Sequence, residues 1–270
     1  MKINKFIIPF AAAALLFSAC DSISPDDRYI EVEAVKPKRA VLIEEFTGQN
    51  CPNCPEGHTF IAQLREQYGS SFIPVSIHAS NLSIPAGSNP MLTGLGTTDG
   101  ETYYKNAGSP VLPSGVVDRR SGALGRGEWA NNVRQELERE APAAIEISAE
   151  VAADASKSLS VNVNIKPTAD IDGHLQVWLV ESGIVAFQIN GSNYDFNYVH
   201  DHVFRASVNG VEGEAFRASK NVFTDKSYTY TLDDSWKAEN MAVVAFIYDS
   251  TGVLQAAEAE VILQETSADD

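Results

Sequence analysis

The chain has 270 residues, of which 44% are hydrophobic and 21% are charged. These fractions are typical of a globular protein with a packed core and exclude a disordered, highly polar chain. The formal net charge of −16 disfavours binding to nucleic acid and to anionic membrane surfaces, because phosphate contacts need lysine and arginine. The length suits one large domain or two ordinary ones.

The first 20 residues have the pattern of an export signal. A basic start and an apolar run over residues 6–17 precede the small pair Ser18-Ala19, and the run is too short to cross a bilayer as a helix. We therefore predict a signal peptide over residues 1–19. The residues leading into Cys20 resemble a bacterial lipobox, which implies cleavage before Cys20 and attachment of the protein to the membrane through lipid on this cysteine. The alternative is an ordinary secreted protein in which Cys20 is incidental.

The region after Cys20 starts as a polar, proline-containing tether over residues 20–38 and continues with alternating strand and helix patterns. Apolar runs of β-branched residues predict buried strands, and apolar residues at helical spacing predict helices. A strand, a CxxC motif at a turn, a helix and a second strand form one βαβ unit. We expect an α/β domain over residues 39–142. The predicted elements are an edge strand at 29–35, strands at 39–46, 71–79 and 110–118, and helices at 55–68 and 128–140. The long segment over 81–108 is expected to hold a lid, an insert or a helix near 99–106.

Beyond residue 142 the apolar period changes from 3.6 to 2. About seven short alternating runs with regular turns predict an antiparallel, immunoglobulin-like β-sandwich over residues 143–264, followed by a tail over 265–270. The segment from Asp249 to Gly252 is expected to form a hairpin turn. The predicted strands cover residues 145–151, 159–165, 175–180, 202–208, 228–232, 241–248 and 253–262.

The three cysteines of the chain are Cys20, Cys51 and Cys54. If Cys20 carries lipid, the other two form one CxxC pair in an exported compartment, where disulfides form. A disulfide that closes so short a loop adds little chain entropy to stability, and a structural zinc site needs four ligands, for which no second CxxC exists. The pair therefore favours redox chemistry, with an inert disulfide as the alternative.

A cysteine at the start of a helix faces unpaired backbone N–H groups and the positive end of the helix dipole. Both favour the thiolate, which is the attacking species in disulfide exchange. We expect Cys51 to be the exposed nucleophile and Cys54, one turn later, to resolve the mixed disulfide. Pro52 is tolerated because its missing N–H falls where the helix leaves donors unpaired.

The segment from Val41 to Cys54 resembles the strand–turn–CxxC–helix signature of the thioredoxin superfamily. The resemblance implies a buried acid at Glu45 that relays a proton to Cys54, although Glu45 facing solvent at the strand end is an equal alternative. It also implies a cis-proline opposite the cysteines, for which Pro113 is the first choice and Pro110 the second. The departures are Asn50, in place of the usual tryptophan, and a long segment over residues 81–108.

Nearly all of the mature chain resembles the Omp28-related outer membrane lipoproteins. The matching features are the lipobox, the segment from Glu45 through Gly57, Pro113 followed by Asp118-Arg119, and the segment from Tyr198 to Arg205. The resemblance implies a place at the outer membrane of a Gram-negative cell and supports location more than activity.

Three smaller features have two interpretations each. His200 and His202 suit a hydrogen-bonded strand end better than a metal site. His58 suits a surface histidine better than a thiol base. The mixture of aromatic and amide residues over 187–198 suits a glycan or protein contact, or a long sandwich loop.

Two functions are compatible with these features. The first is a lipid-tethered thiol–disulfide oxidoreductase that acts on exported protein thiols or disulfides and needs no cofactor. In it Cys51 attacks, Cys54 resolves, Glu45 moves a proton and Pro113 shapes the groove. The second is a surface binding or adhesion lipoprotein in which the sandwich binds a partner and the cysteine pair is inert.

Overall fold

The structure is a computed structural model that describes residues 36–152 and 156–264. The predicted signal peptide, the predicted lipidation site Cys20, the predicted edge strand at 29–35 and the predicted tail over 265–270 lie outside the described residues. None of the described helices is both long enough and apolar enough to cross a membrane.

The described residues are mostly β, with 46% strand against 19% helix and with mixed sheets. The helices are α1 (Cys54–Tyr68), α2 (Thr98–Asn106) and α3 (Arg126–Leu137), and single 3₁₀ turns lie at Gly69–Ser71 and Ala238–Asn240. The two predicted helices at 55–68 and 128–140 are therefore confirmed, with ends within three residues of the prediction. Of the alternatives for residues 81–108, the structure has the helix, which is α2. The strands are β1 (Val41–Thr47), β2 (Phe72–His78), β3 (Ser114–Val117), β4 (Ala143–Val151), β5 (Ser158–Pro167), β6 (Ile171–Glu181), β7 (Ile184–Asn190), β8 (Asn193–His200), β9 (Val203–Ser207), β10 (Glu214–Ala218), β11 (Thr224–Thr231), β12 (Met241–Asp249), β13 (Gly252–Glu260) and β14 (Ile262–Leu263).

The main sheet of the described residues has eight strands in the order β13-β12-β6-β9-β2-β1-β3, with β10 also paired to β6. The predicted βαβ unit is confirmed, because β1 and β2 are parallel and α1 connects them. β3 pairs antiparallel with β1 on its other side. Strand β1 thus has a hydrogen-bonded neighbour on each side, and all seven of its residues are buried.

The two faces of β1 and β2 pack against different helices. Val41, Ile43 and Phe72 lie in one apolar cluster with Trp129 of α3 and with apolar residues of α1. The alternate residues, such as Leu42 and Ile73, lie in a second cluster with Tyr103 of α2. Successive side chains of a strand point to opposite faces, so the uninterrupted burial of β1 follows from its position between two helical layers.

A third apolar cluster lies between the main sheet and a four-stranded sheet in the order β11-β5-β4-β14, both counted over the described residues. Residues from β4 and β5 pack there against residues from β6 and β12. The predicted turn between β12 and β13 is confirmed, since Asp249 pairs with Gly252 across the antiparallel hairpin.

The predicted sandwich is not purely antiparallel and is not built only from its own strands. β9 pairs in parallel with β2, where Val203 is opposite Ser76 and the Ser76 N–H donates to the His202 carbonyl at 2.8 Å. β14 also pairs in parallel with β4. The main sheet takes strands from both sides of position 142/143, and the two-domain assignment stays a prediction.

A buried ion pair connects three parts of the main sheet. The Arg39 guanidinium donates to the Asp118 carboxylate and to the carbonyl oxygens of Leu254 at 2.9 Å and Val253 at 3.1 Å. The other carboxylate oxygen of Asp118 accepts from the backbone N–H of Leu42 at 2.8 Å. The pair therefore ties the start of β1 to the end of β3 and to β13.

We predict that Asp118→Asn lowers the free energy of unfolding by about 3–5 kcal/mol, because it leaves the buried Arg39 charge without a partner. Asparagine tolerates the left-handed backbone at this position, where φ is 47°. The control is Asp172→Asn, which breaks an exposed pair with Arg217 and should cost about 1 kcal/mol or less. Urea unfolding measures both variants, and equal losses would contradict the assignment.

Candidate functional site

Cys51 and Cys54 form a disulfide at the first turn of α1. The Cys51 N–H donates to the Gly48 carbonyl at 3.0 Å, which closes the turn between β1 and the helix. Asn53 precedes the helix and Pro55 occupies its first turn. Cys51 is only 1% exposed and Cys54 is fully buried, so the expectation that Cys51 is exposed is wrong.

The cover over the disulfide is the hairpin formed by β7 and β8, which pair with each other as a separate two-stranded sheet. The Ile189 N–H donates to the Gln49 carbonyl at 2.8 Å, and the Gly191 N–H donates to the Pro52 carbonyl at 2.9 Å. The hairpin tip thus pairs with the backbone on both sides of Cys51.

Gln188 adds a side-chain contact to this cover. Its buried amide donates to the carbonyl oxygens of Cys51 at 3.0 Å and Gly48 at 3.3 Å. Gln49 makes the reciprocal contact, because its amide donates to the Phe187 carbonyl at 3.1 Å. The two glutamines therefore satisfy backbone acceptors in the interface between the hairpin and the CxxC turn.

The base of the hairpin is held by apolar packing. Ile184 and Ala186 form a small cluster with Leu95 and Val203. The pairing register of the hairpin shifts between Ala186 and Gln188, so an irregularity separates this base from the tip that lies over the disulfide.

Glu45 is fully buried beneath α1, so the solvent-facing alternative is excluded. Its Oε2 atom accepts from the Ser76 hydroxyl at 2.9 Å, whereas Oε1 has no hydrogen-bond partner in the described part of the chain. A Cβ atom added to Gly57 would lie 3.3 Å from Glu45 Oε1 and 3.3 Å from Pro113 Cβ. Glu45 and Pro113 therefore both lie against the helical turn that begins at Cys54.

Burial raises the pKa of Glu45 to about 8, and the Ser76 hydrogen bond opposes this shift. The carboxyl group is thus protonated at neutral pH and can donate a proton. The Leu112–Pro113 peptide bond is cis, as expected for the first-choice proline.

Three histidines lie together, and one of them, His58, lies beside Glu45. The ring centroids of His78 and His200 are 5.1 Å apart, and those of His58 and His200 are 6.1 Å apart. The expectation that His58 is a surface residue is wrong, because its ring contacts the Thr47 hydroxyl at 2.9 Å and the Tyr198 hydroxyl at 2.8 Å.

Burial keeps these imidazoles neutral. It lowers the pKa of His58 to about 3 and that of His200 to about 4, and it lowers the pKa of His78 well below its usual value. His202 lies apart from them, with Nδ1 3.7 Å from the Glu258 carboxylate. Within residues 36–152 and 156–264, no group of three or more His, Cys, Asp and Glu side chains is arranged to hold a metal ion.

Sequence reasoning missed the hairpin and therefore missed Gln188, Tyr198 and the burial of the disulfide. The sequence does contain a signal for this hairpin. Asn190-Gly191 stands between two short runs of strand-forming residues, and this dipeptide is a strong hairpin indicator. The aromatic and amide composition of the segment had instead suggested a loop or a contact surface.

We predict that wild-type protein loses stability relative to Glu45→Gln as the pH rises from 5 to 8.5. The raised pKa of Glu45 stabilises the fold at low pH, and this contribution disappears as the pH passes through about 8. The change should approach roughly 1.4 kcal/mol per pH unit in denaturant unfolding. Glu56→Gln, at an exposed glutamate of the same helix, should show no such trend, and a flat difference for Glu45→Gln would contradict the burial argument.

The fold is similar to that of a solved protein, HBP35 of Porphyromonas gingivalis. The similarity has a TM-score of 0.67 at 16% identity and covers 87% of this chain and 79% of that chain, so it concerns the fold alone. A domain of the outer membrane lipoprotein Omp28 from the same organism is 27% identical over 46% of this chain and 92% of that chain, with a TM-score of 0.34. A search of the curated proteins found no relative.

A family model described as Outer membrane protein Omp28 matches residues 100–265. This segment is more than half of the chain and includes Pro113 and the entire β7–β8 hairpin, whereas Glu45 and the two bonded cysteines precede it. The chain belongs to the outer membrane protein Omp28 family.

Proposed function

We propose that the protein is an outer membrane lipoprotein, anchored through Cys20, that exchanges its Cys51–Cys54 disulfide with thiols and disulfides of exported proteins. The observation that carries this proposal is the buried, protonated carboxyl group of Glu45. It lies against the same helical turn as Cys54, where a thiolate is released when the disulfide opens.

The arrangement of the elements supports a thioredoxin-like module over residues 39–142. The module consists of the parallel β1–α1–β2 unit, the antiparallel strand β3 that follows Pro113, and α3 on the same face as α1. The packing of β4 and β5 on β6 and β12 supports an immunoglobulin-like arrangement for the later strands.

The exchange proceeds in two attacks. A thiolate of the reductant attacks Cys51 Sγ, the S–S bond breaks, and its electron pair leaves on Cys54 Sγ. The Glu45 carboxyl group gives its proton to that sulfur. A second thiolate then attacks the mixed disulfide, which releases Cys51 and leaves the reductant oxidised. When exported thiols are the reductant these steps oxidise them, and the same steps in reverse reduce a disulfide of an exported protein.

The hairpin tip must lift before any thiolate reaches Cys51. Lifting breaks the backbone bonds from Ile189 and Gly191 and the contacts of the Gln188 amide, each worth about 1 kcal/mol net. The base packs in its own apolar cluster beyond the irregular register. Local opening of the tip is therefore much less costly than unfolding.

We predict that Gln188→Ala accelerates reduction of Cys51–Cys54 by a small thiol on the order of tenfold. The substitution removes about 1–2 kcal/mol of the free energy that keeps the hairpin tip closed. The matched control is Gln176→Ala, which removes a buried amide bonded to Asn209 and Gly210 elsewhere in the sheet. Quenched-flow alkylation of the freed thiols measures the rate. Equal rates in both variants would show that the hairpin does not gate the disulfide.

We predict that Cys54→Ser accumulates mixed disulfides with exported proteins on Cys51, because the resolving thiol is missing. Non-reducing electrophoresis and mass spectrometry of cells that express the full chain detect them. The control Cys51→Ser should trap far less. The absence of any mixed disulfide in Cys54→Ser cells would reject the exchange function.

The second candidate is a binding protein whose disulfide is static. The hairpin exposes four large apolar side chains, with Tyr194 at 70%, Phe196 at 62%, Val185 at 56% and Val199 at 51%. Exposed apolar groups of this kind are common at contact surfaces. The trapping experiment distinguishes the candidates, because a static disulfide yields no mixed disulfide.

A further inference from the structure

We propose that His58 and Tyr198 form a proton path that connects the buried Glu45 carboxyl group to solvent. This inference rests on the proposed exchange reaction and identifies two residues that support it from outside the CxxC motif. Neither residue contacts the sulfur atoms in the proposed reaction. Both act through Glu45 and are therefore positioning and relay residues.

A path is needed because Glu45 has no direct access to water. The residue is fully buried, and among the described residues the only hydrogen bond of its side chain is with the Ser76 hydroxyl. Once Glu45 has given its proton to Cys54, it is a buried carboxylate without a countercharge, which is a costly state. The next turnover requires that a proton return to Glu45.

His58 is a titratable group that lies close to this carboxyl group. Its Nε2 atom lies 3.7 Å from Glu45 Oε1, which is the oxygen without a partner. The same Nε2 atom is 2.9 Å from the Thr47 hydroxyl, which fixes the ring orientation. The remaining gap to Glu45 is about 0.7 Å longer than a hydrogen bond of ordinary length, and such contacts tighten when the carboxyl group ionises.

Tyr198 completes the path on the other side of the ring. Its hydroxyl lies 2.8 Å from His58 Nδ1, and the residue is only half-buried on β8. Tyr198 pairs with Ala186 in the base of the hairpin. The relay therefore stays in place when the tip over Cys51 lifts.

The surroundings of His58 and Tyr198 keep both side chains uncharged, which favours proton transfer through neutral groups. Burial, with the neighbouring His200 ring, lowers the pKa of His58 to about 3, and burial raises the pKa of Tyr198 to about 12. Both residues are therefore neutral at pH 7, so that a proton passes through them without being stored. The titratable and charged groups around the path are His78 on β2, His200 on β8, Arg205 on β9, and Asp195 and Asp201 at the two ends of β8.

One proton moves along the path from solvent to Glu45. His58 gives its Nε2 proton to the Glu45 carboxylate while Nδ1 takes the hydroxyl proton of Tyr198. Tyr198 takes a proton from water or a buffer acid at the surface. The net result is one proton moved from solvent to Glu45, and His58 changes tautomer without becoming charged.

The test compares Tyr198→Phe with Tyr194→Phe, which removes an exposed hydroxyl from the same strand. We expect Tyr198→Phe to slow disulfide exchange with dithiothreitol on the order of 10- to 100-fold below pH 8. Its reduction potential should match wild type, since a relay changes rate and not equilibrium. High concentrations of imidazole buffer should restore the rate, and Tyr194→Phe should behave as wild type. His58→Gln should show the same loss and rescue.

Three results overturn the inference. Exchange by Tyr198→Phe at the rate of Tyr194→Phe would show that the hydroxyl carries no proton. A slow variant that imidazole does not rescue, or whose potential shifts, would show a structural role. Absence of exchange in the wild-type protein would instead remove the proposed function, which distinguishes that failure from a failure of the path alone.

Discussion

The burial of Glu45 is the constraint on which the site depends. A carboxyl group at the centre of a sheet has to be protonated or paired, and the pairing present is a single hydrogen bond from Ser76. Gly57 leaves space for it because it has no side chain, and Pro113 bounds the same space. The apolar walls that raise the pKa of this acid also pack α1 and α3 onto the sheet, so stability and acid chemistry have the same origin.

The polar residues around Glu45 form a layer that joins the hairpin to the sheet. Thr47, Ser76 and His78 lie at the ends of β1 and β2, while His58 and His200 approach them from α1 and β8. Buried polar networks of this kind define one arrangement well when their hydrogen bonds are made. The ring nitrogens of His78 and His200 have no hydrogen-bond partner within the described ranges, so an added polar group in this layer would find buried partners.

Local sequence patterns predicted the elements whose defining residues are close together along the chain. The strand before the CxxC motif, the helix after it and the parallel return strand could be predicted because each depends on spacing within about 15 residues. The environment of the cysteines could not, because Gln188 covers Cys51 from 137 positions away. The burial of His58 could not be predicted for the same reason, since its partner Tyr198 is 140 positions away. The boundary at 142/143 was predicted from a change of period, which does not reveal that β9 pairs with β2.

The position of β9 has a consequence for the biogenesis of the protein. As an exported chain emerges from its N-terminus, β1, β2 and β3 appear long before β9, and until then the free edge of β2 has unpaired backbone donors and acceptors. An uncovered edge of apolar, β-branched residues is a template for intermolecular pairing. Non-local pairing of this kind is also slow to form. A newly made molecule therefore passes through an interval in which this edge is uncovered, and the interval ends only when the second half of the chain arrives.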